Sequence, residues 1–168
     1  MDFLETAIAE LSATPQRVEE IIAGLNDEQL SWKPTEFFSM RESVLHLRDI
    51  DVYGYEKRLR FLLTEDYPVF EDIDGAKLAI ERKYSEQPIL PALEDWKRSR
   101  AVSMQRLRGT SLLDLDRRAE MQGAGPIDLR RLLELWMEHD RGHIAELLEQ
   151  RRALESGSGP QLQQHRVA

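Results

Sequence analysis

Leu132-Leu133-Glu134-Leu135-Trp136-Met137-Glu138-His139-Asp140-Arg141-Gly142-His143-Ile144-Ala145-Glu146-Leu147 is the stretch that decides the fold. Leu132, Leu135, Trp136, His139, His143 and Leu147 share one broad helical stripe. Asp128 stands ready as a cap, so the spacing predicts a long helix from Leu129 to about Leu154. Both histidines lie on or beside its core-facing side. At i and i+4 their Cβ atoms are roughly 5–6 Å apart, and two imidazoles so held can close on one ion at about 2.0–2.1 Å per nitrogen. The chain has only 4 histidines, so a pair at this spacing is informative. Two readings are open: a shared ion, or two rings that each bond a carbonyl or carboxylate.

Working outward, the rest of the chain reads as helices separated by turn chemistry, without convincing strands. A first helix begins at the Asp2/Glu5 capping-box pattern and carries Phe3, Leu4, Ala7, Ile8 and Leu11. Pro15 predicts a kink or restart, after which Val18, Ile21, Ile22 and Leu25 continue the stripe. Asn26 to Phe38 reads as a linker. Ser39-Met40-Arg41-Glu42 is a second capping box, opening a helix that runs to about Leu63 and carries His46. Tyr67 to Asp74 reads as a loop, and Ala76 to Tyr84 as a short helix. Pro91 suits the first turn of a third long helix, with Leu93, Trp96, Met104 and Leu107 at helical spacing and an end at Gly109. Gly123-Ala124-Gly125-Pro126 reads as a turn or loop. The expectation is an all-α four-helix bundle with a long connection between helices 2 and 3 and a short additional helix. Residues 1–155 are expected to form one domain, and 156–168 a flexible polar tail.

Composition narrows the function. At 168 residues, 41% hydrophobic and 32% charged, this is an ordinary globular chain that buries a core unaided. The absence of cysteine excludes disulfides, thiolate metal sites and a cysteine nucleophile, and fits a cytoplasmic setting. Neither a signal-peptide layout nor an apolar run of the ~18 residues a membrane span needs is present. A net charge of −8 argues against nucleic acid as a partner. Lys97, Arg98, Arg100, Arg106 and Arg108 read as a solvated face interspersed with Glu94 and Asp95.

His46 changes the meaning of the pair. One histidine on the second helix and two on the fourth make a three-point grip across a bundle. Three nitrogens with no obvious fourth ligand describe an open, catalytic-type site. Asp140 stands where a zinc hydrolase of the H-E-x-x-H type has its glutamate, but is shorter and points about 100° from His139. It reads as a surface residue or one lying behind a ligand. Glu138 and Glu42 have the length to approach an ion, and Asp49 could accept from a ligating imidazole. Gly142 suggests close helix approach or room above the ion, Arg141 and Arg48 could orient an anionic substrate, and Trp136 could line the pocket wall. Trp32 and Trp96 read as core. His165, in the polar tail, is not expected to be a ligand.

Ser39-Met40-Arg41-Glu42-Ser43-Val44-Leu45-His46-Leu47-Arg48-Asp49, followed by His139-Asp140-Arg141-Gly142-His143, resembles the DinB-like superfamily. Thr14-Pro15, Gly24-Leu25 and Asp27-Glu28-Gln29-Leu30 sit where that pattern puts them, and the resemblance reaches about Leu154. It implies a four-helix bundle, often a homodimer, holding a divalent ion, typically zinc or nickel, through His46, His139 and His143. It also implies activities such as thiol-dependent transfer and thiol-dependent isomerisation with bacillithiol or mycothiol. The expected function is transfer of a low-molecular-weight thiol to an electrophilic small molecule. Metal-assisted hydrolysis and a non-catalytic metal-clamped helical domain are the alternatives. A divalent metal would lower the pKa of a bound water or thiol, and any thiol must come from a cosubstrate.

Overall fold

A computed structural model describes residues 2–34 and 38–160. Its long helices are α1 (Phe3–Ile22), α3 (Met40–Asp49) continuing through a π-helical segment (Ile50–Glu56) into α4 (Lys57–Thr64), α6 (Ile89–Arg108) and α7 (Leu129–Glu155). Two short helices, α2 (Asp27–Ser31) and α5 (Gly75–Glu81), sit in the connections. The sequence signals act locally as expected. Asp2 with Glu5, and Ser39 with Glu42, form full capping boxes, and Asp128 accepts the Arg131 amide to start α7. Each such cap stabilises its helix by about 1 kcal/mol. Both α1 and α3 pack against α6 and α7, so the first two long helices lie across a diagonal. No helix among the described residues is long and apolar enough to cross a membrane.

Four expectations are corrected. The linker after α1 contains α2, capped by Asn26 and Gln29. The second long helix is interrupted by a π-helical segment, whose wider turns bury Ile50, Asp51, Gly54 and Tyr55. Two regions read as loops instead form a small sheet: β1 (Val69–Phe70), β2 (Arg118–Met121) and β3 (Gly125–Asp128), in that order. β1 runs parallel to β2, and β2 pairs antiparallel with β3 around a turn at Gly123, whose φ of 79° suits glycine. Finally, α1 is one helix through Pro15. The proline leaves the Leu11 carbonyl without its intrahelical donor. Arg100 Nη1 donates to that carbonyl instead, at 2.8 Å. In the expected tail, Gly159 sits against Trp32 and Leu154. Residues 161–168, including His165, lie outside the described residues.

The apolar core is in two parts. One gathers Leu4, Leu11, Tyr55, Leu62, Leu107 and Trp136; the other gathers Val18, Val44, Leu47, Leu93, Trp96 and Leu147. Along three of the long helices, polar residues fall between the two parts: His46 to Asp51, Arg100, and His139 to His143. Arg100, expected on a solvated face, is 2% exposed. Its guanidinium reaches Asp140 Oδ2 at 2.6 Å and Asp51 Oδ1 at 2.9 Å, and faces the rings of Trp136 and Trp96. One arginine therefore ties α6 to α1, to the π segment and to α7. Burial, the largest single influence, would raise Asp140, but Arg100 and His139 together outweigh it and hold the carboxyl below its usual value. For Asp51 burial wins, and its pKa rises to about 6 despite Arg100.

Removing one partner from a buried ion pair costs about 3–5 kcal/mol, because the other charge is left unpaired. Arg100→Ala strands two carboxylates and the Leu11 carbonyl. Urea denaturation should show a loss of at least that size, and a loss below about 1 kcal/mol, the range of surface pairs, would refute this role.

Candidate metal centre

His46 is carried by α3, a helix buried nearly all round because α6, α7, α2 and α5 pack about it. His139 and His143 come from the middle of α7, one turn apart and half-buried. The three rings meet where α3 and α7 cross. Their centroids lie 5.3, 4.8 and 4.6 Å apart, and His46 Nε2 is 3.2 Å from His139 Nε2. One nitrogen from each ring can be chosen so that all three lie within 4.8 Å of one another. Two nitrogens bound to one ion at about 2.0–2.1 Å, with an angle between about 90° and 110°, stand roughly 2.9–3.4 Å apart. The His46–His139 separation falls in that range, and with the third nitrogen within 4.8 Å the three rings form a candidate donor set for a divalent ion.

The electrostatics fit as well. Burial, then His143 and His139, lower the His46 pKa to about 3 against an opposing pull from Asp49. Burial and then His139 lower His143 to about 4 against Asp140. Neutral imidazole is the form that ligates. The Nδ1 atoms of all three rings are buried without a hydrogen-bond partner. Glu146 Oε2 stands 3.1 Å from His143 Nδ1 but off the hydrogen-bond direction, and Asp140 Oδ1 is 3.7 Å from His139 Nδ1. Both are electrostatic neighbours rather than acceptors.

Other expected site residues are placed elsewhere. Asp49 accepts from Arg48, Arg82 and Tyr84, and takes no bond from His46. Glu138 pairs with Arg131, and Glu42 serves the Ser39 cap and Lys33. Among the described residues, no carboxylate joins the three-histidine group. Arg48 is held by Asp49 and Gln87, and Arg141 forms a two-pronged pair with Glu10 on the surface. Asp140 is buried behind His139, fixed by Arg100. Trp136 is fully buried and stacked on Tyr55 at 4.9 Å, away from the pocket wall. A Cβ at Gly142 would meet nothing within 4 Å, so close helix approach is not its role.

Sequence reasoning missed the opposite wall. A cavity of about 230 Å³ opens onto His46 and His139, lined also by Ile50, Tyr55, Arg58, Asp72, Ile73 and Gly75. Two larger grooves, of about 540 and 510 Å³, flank α1 and touch none of the histidines. At Gly75 a Cβ would fall 2.6 Å from His46 Cε1, closer than any real contact, so this glycine lets α5 lie against the imidazole. At Gly54 a Cβ would stand 3.3 Å from Ile73 Cδ1, bringing the β1–α5 connection close to the π segment.

Two outcomes follow from this geometry. Gly75→Ala should displace His46 and weaken divalent-ion binding by about 10–100-fold, the range for residues that hold a ligand in place. Gly142→Ala should leave ion binding unchanged and stabilise α7 by up to about 1 kcal/mol. Equal ion affinities for wild type and Gly75→Ala, by competition with a chelating dye, would contradict this. The second outcome concerns pH. Unfolded, His46 and His143 titrate near their ordinary pKa of about 6.5. As pH falls below that value the unfolded chain takes up protons that the folded one resists until about 4 and about 3. The ion-free protein should therefore lose stability on acidification from pH 7 to 5, by up to about 1.4 kcal/mol per pH unit for each ring, partly offset by Asp51, whose carboxyl takes up a proton near 6 only in the folded state. A flat urea midpoint over that interval would show that the rings are not buried as described.

Residues 10–147 match the DinB superfamily. No curated protein matches the chain. Among solved structures, YfiT from Bacillus subtilis superposes with a TM-score of 0.84 over 90% of this chain and 87% of its own, at 21% identity. YfiT is described as a probable metal-dependent hydrolase with an unusual four-helix bundle topology. At that identity the likeness speaks for the fold. A match that spans most of the sequence, on the bundle just described, makes this chain a member of the DinB superfamily.

Proposed function

We propose that the protein is a metal-dependent enzyme acting on a small molecule, with His46, His139 and His143 holding one divalent ion. The observation that carries this reading is the convergence of three imidazoles on one point, beside a cavity that His46 and His139 line. A divalent ion bound there would lower the pKa of a coordinated water or thiol and supply a nucleophile near neutral pH. Among the described residues no carboxylate joins the three-histidine group, which leaves room for such a ligand, as in open catalytic sites. Zinc and nickel both suit imidazole donors. The cavity, about 230 Å³, is smaller than the roughly 300–1,000 Å³ clefts of drug-sized ligands and suits a small substrate.

The chain's own residues shape what happens in the cavity. Ile50 and Ile73 supply apolar lining. The Tyr55 hydroxyl is committed to the Leu135 carbonyl at 3.1 Å, so it braces the wall instead of moving protons. Two nucleophiles are compatible with this site. Water is supported by the likeness to YfiT and by Asp72, whose carboxylate lines the cavity and could receive a proton. A low-molecular-weight thiol is supported by the family resemblance of the motifs, and must come as a cosubstrate because the chain has no cysteine.

The test is metal content followed by turnover. Purified protein should hold about one zinc or nickel per chain, and His46→Ala should lose it while keeping the helical circular-dichroism signal. Protein that neither retains nor takes up a divalent ion would end this reading. With the loaded protein, a panel of activated esters, amides and electrophilic acids is assayed with and without small thiols. Turnover that needs no thiol assigns hydrolysis, and turnover that requires one assigns transfer.

A further inference from the structure

Arg58 is the unexplained charge at this site. From α4 it lines the cavity that holds His46 and His139, and also a second cavity of about 230 Å³ beside Phe61 and Glu71. Its one hydrogen bond among the described residues runs from Nη2 to the Glu71 carbonyl, at 2.8 Å. No carboxylate lies within 4.0 Å of it among the described residues. The other arginines near the histidines are all paired: Arg48 and Arg82 with Asp49, Arg100 with Asp51 and Asp140, and Arg141 with Glu10. Burial pulls the Arg58 pKa below its usual value, against the opposing effects of Tyr55 and Asp72. A half-buried guanidinium is thus kept without a carboxylate partner, beside the candidate reaction centre. Asp72, the other charge in the wall, is exposed, and its Oδ1 accepts the Ile73 amide.

We infer that Arg58 is the anchor for a small carboxylate-bearing substrate, which binds in this cavity with its carboxylate on the guanidinium and its reacting group toward the histidines. A guanidinium presents five N–H donors in a planar fork that matches a carboxylate, and only one bond from that fork is committed. The Glu71 bond fixes the fork without neutralising it. The 230 Å³ volume accommodates a few carbon atoms or one ring beside the carboxylate. This inference takes the cavity to be the reaction chamber of the proposed enzyme, yet the guanidinium needs no ion in order to bind an anion.

That independence sets the experiment. Benzoate and benzamide, matched in shape and differing in charge, are titrated into full-length protein, both metal-stripped and zinc-loaded, with binding read by calorimetry. Benzoate should bind about tenfold more tightly than benzamide in both forms, as one charge-assisted contact allows. In Arg58→Gln the two should become equal within about twofold, and Arg58→Lys should retain an intermediate preference because the charge remains without the fork. The Arg58 Nε resonance should also shift on adding benzoate to the wild type, a readout independent of any variant. Equal binding of the two probes to wild type, or no binding of either, would overturn the inference. So would a preference that persists in Arg58→Gln only when zinc is loaded, since the anion would then sit on the ion and the metal reading alone would stand. Protein that binds no zinc but keeps an Arg58-dependent preference would remove the proposed enzyme and leave the anion site.

Discussion

A single buried guanidinium organises this bundle. Arg100 enters the core from α6 at the level where the two apolar clusters part, and each of its partners belongs to another element. The Leu11 carbonyl is available to it because Pro15 cannot donate. Asp51 reaches it from a segment wound with wider turns, and Asp140 from α7. Burying a charge is costly unless it is paired and hydrogen-bonded. Each helix that supplies a partner is therefore fixed in height and rotation against the others. Apolar stripes alone tolerate sliding; a buried ion cluster does not.

The candidate site depends on this constraint. Asp140 lies between the two α7 histidines in sequence and points the other way, into Arg100, so fixing Asp140 fixes the rotation that turns His139 and His143 toward α3. On the opposite side, His46 is confined by α5 through the contact at Gly75. The cavity forms because the β1–α5 connection, close against Gly54, covers the histidines without filling the space beside Arg58. The aspartate between the histidines thus serves the fold and the site together, and its place in the H-x-x-x-H spacing is structural in origin.

Much of this was legible in local sequence. The capping residues Asp2, Ser39 and Asp128 and the stripes behind them mark the starts of α1, α3 and α7, and helical spacing pairs His139 with His143, to which His46 was joined as a histidine on a separate long helix of the bundle. Arg100 was legible too, though easy to misread. It continues the stripe Leu93, Trp96, Met104 and Leu107, and its setting among Lys97, Arg98 and Arg106 hid that periodicity. The π segment left no such mark, because its wider winding is imposed by what Asp51 and Tyr55 must reach. The two-residue strand β1 carries too little alternation to be seen. Arg58 and Gly75 matter only through chain-distant neighbours, which no spacing rule reveals.

The central claim is that three imidazoles from two crossing helices form one ion site. The most direct measurement is a nitrogen-15 histidine spectrum recorded while zinc is added to metal-stripped protein. One ring nitrogen of each of His46, His139 and His143 should shift together and saturate at a single equivalent. Rings that respond at different zinc levels, or a His46 ring that does not respond at all, would contradict it.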